Sequence, residues 1–183
     1  MKKFNKLVRN RVSGLLENKG FKVTTKKLDD EQREKGLYSL FLREFKECEA
    51  ELDVKKVQVH HADMLEVVQT LSSVDIKVED LKNNRNQAMK WYQKLMSAKE
   101  RIMQARTNLL LKYDELLRIK NNEVRQEQLK EVFVALKDWI EERGFDFSKA
   151  IVLQKERLKK LGGFSQGIYL EEVERANKIE YSF

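Results

Sequence analysis

An all-α fold is the expectation from this sequence, and three observations support it. There is no proline among the 183 residues, and the seven glycines leave the chain from Leu37 to Arg143 without either residue. That gap is filled with Lys, Glu, Leu, Gln and Arg, which favour helices, whereas sheets need turns and turns favour Gly and Pro. Apolar positions outside the N-terminal segment also recur at three- and four-residue steps, the period of one helix face.

Taken in order, residues 6–18 predict a first helix, stopped at Lys19-Gly20 and followed by a short extended piece, FKVTTKKL. A second helix can start near Asp29 or Asp30, with Leu37, Leu40, Phe41, Phe45, Cys48 and Leu52 as its buried stripe. A third is expected over residues 53–72, with Val57, Met64, Leu65, Val68 and Leu71 inward. Residues 75–128 carry a coiled-coil-like stripe that includes Leu81, Ala88, Tyr92, Leu95, Ile102, Leu109, Tyr113 and Leu116. This is one long helix or a hairpin that bends near residues 106–108. Met89, Trp91, Met96 and Met103 on this stretch suit packing against the body or a second subunit better than a ligand pocket. Leu129, Val132, Phe133, Leu136, Trp139 and Ile140 form another stripe that ends at Gly144, and a shorter helix over residues 148–161 closes at Gly162-Gly163.

Composition narrows the function classes. Hydrophobic residues at 41% against 37% charged favour a folded chain over a disordered one. The length suits one sizeable core with an elaboration. No apolar run is long enough to span a bilayer, and the basic N-terminus lacks a secretory hydrophobic segment, so an intracellular, cytoplasmic protein is expected. The single cysteine, Cys48, falls on an apolar face and carries no chemical expectation. Charge is unevenly placed: nine Lys and Arg against Glu17 alone lie in the first 27 residues, more than the whole chain's net charge of +7. That concentration suits phosphate binding, and equally a solvated terminus.

The residue pattern with the clearest chemistry is acidic. Glu44 shares the inward side of its helix with Leu37 and Phe41, and Glu47 and Glu51 continue along that edge. On the next helix His60, Asp63 and Glu66 are also spaced by three. Two helices with acidic residues beside their apolar stripes can gather oxygen ligands in a bundle core, and such ligands suit Mg²⁺ or Mn²⁺. Ion pairs with Lys46, Lys55 or Lys56, and an Asp63 paired within the core, explain the same spacing without a metal. Neither histidine lies in an H-E-x-x-H pattern, and no cysteine pair supports zinc.

Three separated segments resemble the small MazG-like, all-α nucleoside triphosphate pyrophosphohydrolases, in particular the phosphoribosyl-ATP pyrophosphohydrolase-like branch. FNKLVRNRV is similar to that branch's N-terminal NKLVRDKIP signature, REFKECEAEL to its first acidic helix, and LGGFSQGIYLEEVE to its GGFxKGIxLxEV segment. The resemblance implies a discontinuous helical domain, residues 1–73 and 132–183, with residues 74–131 as a helical insertion. It also implies metal-dependent cleavage between the α- and β-phosphates of a nucleotide, giving the monophosphate and pyrophosphate, and assembly as a dimer or larger. Carried over, the family's E-x-x-E pair is Glu44 and Glu47, and its E-x-x-D pair falls on His60 and Asp63. The expected glutamate is therefore a histidine, which brings nitrogen and no negative charge, and Glu66 is a candidate to compensate. Lys6, Arg9, Arg11, Lys159 and Lys160, with the Gly162-Gly163 pair, are the corresponding phosphate contacts. Asn10, Arg11 and Val12 depart from the signature's aspartate, lysine and isoleucine-proline. Because His60 departs from the pattern, a catalytically weakened nucleotide-binding or protein-interaction module on the same fold stays open. Nucleic-acid binding ranks last, since no recognition motif accompanies the basic segment.

Overall fold

A computed structural model describes residues 2–72 and 96–175. The chain forms two compact units, residues 1–70 with 153–183 and residues 71–152. It is mostly helical, with six helices among the described residues, and it also contains a three-stranded sheet.

In the first unit, β1 (Lys2–Leu7), β2 (Phe21–Lys27) and β3 (Ile168–Arg175) pair antiparallel in the order β1-β3-β2. Lys2 lies opposite Val173 and Leu7 opposite Tyr169, while Phe21 lies opposite Arg175 and Lys27 opposite Ile168. The register slips between Lys3 and Lys6, where Asn5 takes a φ of 44°, a left-handed conformation that asparagine tolerates better than most residues.

This sheet departs from the all-α expectation at two places. Residues 6–18 are not one helix: β1 ends at Leu7, and α1 covers only Val12–Glu17. FKVTTKKL is extended as expected, and pairs as β2. The segment IYLEEVER, assigned to no element from the sequence, is the central strand. The reason is that β3 lies far along the chain from both of its partners, so neither helical periodicity nor local propensity could display the pairing.

The helices follow their sequence signals more closely. α2 (Asp30–Ala50) begins at Asp29, whose carboxylate accepts from the Gln32 amide at 2.8 Å. Its buried residues are Leu37, Leu40, Phe41, Glu44, Phe45 and Cys48. Leu52 does not continue that stripe: α2 stops at Ala50, and Leu52 is 95% exposed in the connection. There Glu51 accepts from the amides of Leu52 and Asp53, and Asp53 accepts from Lys55. α3 (Val54–Leu71) is buried continuously from His61 to Val68, so its charged residues there must find partners.

In the second unit, α4 (Ala98–Arg118) opens with a capping box in which the Ser97 hydroxyl and the Glu100 carboxylate exchange bonds with each other's backbone amides. It runs through residues 106–108 without a bend, and the break comes instead at residues 119–121, before α5 (Asn122–Glu142). The two helices pack as an antiparallel hairpin: Arg101 pairs with Glu142 at 3.0 Å, and the Gln128 amide donates to the Lys112 carbonyl at 2.9 Å. Leu109, Tyr113 and Leu116 meet the α5 stripe of Leu129, Val132, Phe133, Leu136, Trp139 and Ile140 in its core. Met103 stays exposed, and Leu81, Ala88, Met89, Trp91, Tyr92 and Leu95 lie outside the described residues. After Gly144, α6 (Phe147–Leu161) starts with Asp146 accepting from the Ser148 amide, and Phe147 meets Phe133 edge to face at 5.7 Å. No helix among the described residues is long and apolar enough to cross a membrane.

Candidate metal centre and anion cleft

Glu44 and Glu47 stand one helical turn apart on α2, and His60 faces them from the first half of α3. Glu44 is 7% exposed, a cost that a carboxylate bears only with compensation. His60 supplies part of it, with Nδ1 2.7 Å from Glu44 Oε2 and 4.0 Å from Glu47 Oε2. Arg43 supplies the rest, donating to Glu44 at 3.1 Å and standing 3.8 Å from Glu47. One ligand atom from each of Glu44, Glu47 and His60 lies within 4.8 Å of the other two. Two ligands on one Mg²⁺ at about 2.1 Å each can be at most roughly 4.2 Å apart, so a small side-chain adjustment closes the set. Glu47, with a half-exposed side chain, is free to make it. The three side chains could together hold a metal ion.

The other two candidate ligands are elsewhere. Asp63 Oδ1 accepts from Arg9 at 2.5 Å and from Arg157 Nε at 3.0 Å, and Oδ2 accepts from Arg157 Nη2 at 2.8 Å. Both of its oxygens are thus committed to guanidinium groups. Glu66 accepts from the Gln154 side-chain amide and sits against Gly163, where an added Cβ would fall 2.6 Å from Glu66 Oε1. Burial pushes the Glu66 carboxyl above its ordinary range, against the Gln154 bond and the Arg9 charge that pull it down. The structure brings together Glu44, Glu47 and His60, while Asp63 is bonded to Arg9 and Arg157, and Glu66 to Gln154.

The expected phosphate contacts also divide. Arg9 is 3% exposed, donates to the Gly162 carbonyl at 3.0 Å and to Asp63, and lies over the Phe164 ring at 4.8 Å. Arg11 donates to the Lys159 carbonyl at 2.7 Å, and its amide donates to Leu161, so it fastens the turn after β1 to the end of α6. Gly162 has a φ of 73°, and its amide, its carbonyl and the Gly163 carbonyl all bond within the protein. Gly162 lets the segment around Asn10 approach closely, an added Cβ there falling 3.1 Å from Asn10 Cβ. Lys159 and Lys160 are exposed and do not line the cleft described next.

A cleft of about 660 Å³ opens within the first unit beside this network. Its charged lining residues are Lys2, Lys6, Arg9, Arg43, Arg157 and Arg175, with the carboxylates Glu44 and Asp63. The rest of the lining is apolar, with Phe4, Phe21, Leu40, Phe164, Leu170 and Val173 in it. Glu44 thus belongs both to the three-ligand cluster and to the cleft wall. A second cavity of about 450 Å³ shares Lys6, Leu7, Leu40 and Arg43 with it. Sequence reasoning missed Arg43 and Arg157. Arg43 stands beside the first acidic pair, a signal within reach, but nothing local marks Arg157 as the partner of Asp63.

Compared with protein-family models, with curated proteins and with solved structures, the chain matches none.

Proposed function

We propose that the protein is a metal-dependent nucleotide pyrophosphohydrolase that converts a nucleoside triphosphate or related nucleotide, with water, to the monophosphate and pyrophosphate. The observation that carries this reading is the double position of Glu44, a member of a Glu-Glu-His cluster and of the wall of a cationic cleft. Glu44, Glu47 and His60 would hold Mg²⁺ or Mn²⁺. Such an ion, when bound, neutralises charge building on phosphate oxygens and acidifies water. Arg43, already bonded to Glu44, offers its guanidinium to a phosphate in the cleft, and Lys6 and Arg157 add positive potential along it. Arg9 and Asp63 hold the wall in shape. The resemblance of FNKLVRNRV, REFKECEAEL and LGGFSQGIYLEEVE to MazG-like enzymes supports the same reaction class and homo-oligomeric assembly.

One observation favours a second reading, a module that binds nucleotide without turning it over. Asp63, which the family resemblance would assign to the metal, is held by two guanidinium groups. The deciding experiment is pyrophosphate release from a nucleotide panel with and without Mg²⁺ or Mn²⁺, with Glu44→Gln as control. Metal-dependent release that the variant loses supports the enzyme. Nucleotide binding with no release from any member of the panel supports the module.

A further inference from the structure

We infer that the smaller cavity is a second anion site, one that takes a phosphate-type oxyanion of at least two charges, such as inorganic pyrophosphate. It goes beyond the nucleotide reading, because Lys26 and Lys35 border this cavity and do not line the larger cleft.

Cations reach the cavity from three elements: Lys6 from β1, Lys26 from β2, and Lys35 and Arg43 from α2. On α2 the lining residues Gln32, Lys35, Ser39 and Arg43 follow one another at three- and four-residue steps, which places a stripe of hydrogen-bond donors on one side of the helix. On β1 the register slip between Lys3 and Lys6, with Asn5 at a φ of 44°, breaks the alternation of a regular strand. Asn5, Lys6 and Leu7 therefore all border the cavity, and a side-chain amide and an ammonium from neighbouring positions meet the same space. Lys6 is half-buried, where a charge gains more from a bound counter-ion than it would in open water.

The carboxylates that pair with these cations do not line the cavity. Lys35 pairs with Glu31 at 2.5 Å, Lys26 with Glu171 at 3.6 Å, and Arg43 with Glu44 at 3.1 Å. The first two pairs are largely solvated, and such pairs hold little free energy, so an anion that meets several cations at once displaces them readily. Charge-assisted bonds from ammonium and guanidinium groups, with Ser39, Gln32 and Asn5 as further donors, suit an oxyanion that presents several oxygens in different directions. The volume of about 450 Å³ lies within the roughly 300–1,000 Å³ of small-molecule sites. The oxyanion has two sources: free pyrophosphate, or the far phosphates of a nucleotide in the neighbouring cleft, since Lys6 and Arg43 border both spaces.

The test is isothermal titration of the metal-free full chain with inorganic pyrophosphate. The expected result is saturable binding that Lys26→Gln with Lys35→Gln weakens about three- to tenfold, the loss of two partly solvated charges. Ser39→Ala, which changes no charge, should weaken it about two- to fivefold. Lys2→Gln with Arg175→Gln removes the same charge from residues of the larger cleft alone, and should change the affinity less than about twofold. Absence of saturable binding would overturn the inference, as would a Lys2 and Arg175 variant weakened as much as the Lys26 and Lys35 variant. So would an unaffected Ser39→Ala, which would reduce the site to a diffuse field of surface charge. Repeating the titration on protein saturated with the α,β-methylene triphosphate of adenosine separates the two sources: unchanged pyrophosphate binding marks a free anion, and competition marks the phosphates of the nucleotide itself. Pyrophosphate bound at Lys26 and Lys35 by a chain that binds no nucleotide would overturn the nucleotide reading and leave this one standing.

Discussion

Arg9 and Asp63, 54 positions apart in the sequence, meet through a 2.5 Å ion pair in which the Arg9 side chain is 3% exposed. The pair joins the turn after β1 to the middle of α3, and Arg157 extends it to α6. A guanidinium buried to this degree depends on its counter-ion. Its Nε already lacks a hydrogen-bond partner among the described residues, which leaves the remaining bonds to offset desolvation.

Asp63→Asn should therefore act on stability before chemistry. Leaving a buried arginine unpaired costs about 3–5 kcal/mol, readable as a lower urea midpoint with little change in slope. Mn²⁺ affinity of the folded variant should change less than about threefold, while Glu44→Gln should lower it at least tenfold, the difference a charge-bearing ligand makes. A folded Asp63→Asn variant that loses the metal as completely as Glu44→Gln would return Asp63 to the ligand set.

Arg43 places its charge against both metal-cluster carboxylates, at 3.1 Å and 3.8 Å, and its side chain is about a third exposed. A cation there competes with a metal for the same oxygens. Replacing it with glutamine should tighten Mn²⁺ binding by about two- to fivefold, the size expected for partly solvated ion pairs, and weaken triphosphate binding. Calorimetry with the metal alone and then with a non-hydrolysable nucleotide separates the two effects. Both affinities falling together would mean that Arg43 supports the cluster's shape and does not compete for it.

Glu66 is a pH probe. Its carboxyl is raised above the ordinary value of 4.5 by burial, so the folded state holds its proton more tightly than the unfolded chain. The favourable contribution is complete below pH 4.5 and is lost as pH rises through the raised value. Glu66→Gln keeps an oxygen to accept from Gln154 and removes the ionisation. It should flatten the dependence of Tm on pH above 4.5, relative to the parent protein. An unchanged slope would show that Glu66 ionises freely in the folded state.

The second unit offers a local test of helix capping. Asn121 accepts from the amides of Glu123 and Val124 at 2.9 and 3.1 Å, and so starts α5 where α4 has just ended. Asn121→Ala should lower stability by about 1 kcal/mol, visible as a lower Tm with the metal affinity intact. A neutral substitution would mean that packing of the α4–α5 hairpin alone sets that boundary.

Much of the helical content was legible because its determinants are local. The Asp29 start, the stripes of α2, α3 and α5, the Gly144 stop and the α6 end all rest on residues within one or two turns of each other. The place of the α4–α5 break was not, because Ile119, Lys120 and Asn121 contain no glycine or proline, and Asn121 acts only through its cap. The convergence of Glu44 and Glu47 was readable from their spacing on one helix edge. That His60 would meet them, and Asp63 would bond to two guanidinium groups, depends on long-range packing, which a single residue pattern does not specify.

The sequence by itself determined the helix-rich character, the sites of several caps, and the placing of an acidic edge next to apolar stripes, because all of these arise from interactions between near neighbours. Tertiary structure alone decided the sheet and the division of the acidic residues. β3 finds β1 and β2 across most of the chain's length, and Arg9 and Arg157 reach Asp63 from 54 and 94 positions away. A buried carboxylate takes whichever counter-charge the fold carries to it, and that is a property of long-range packing.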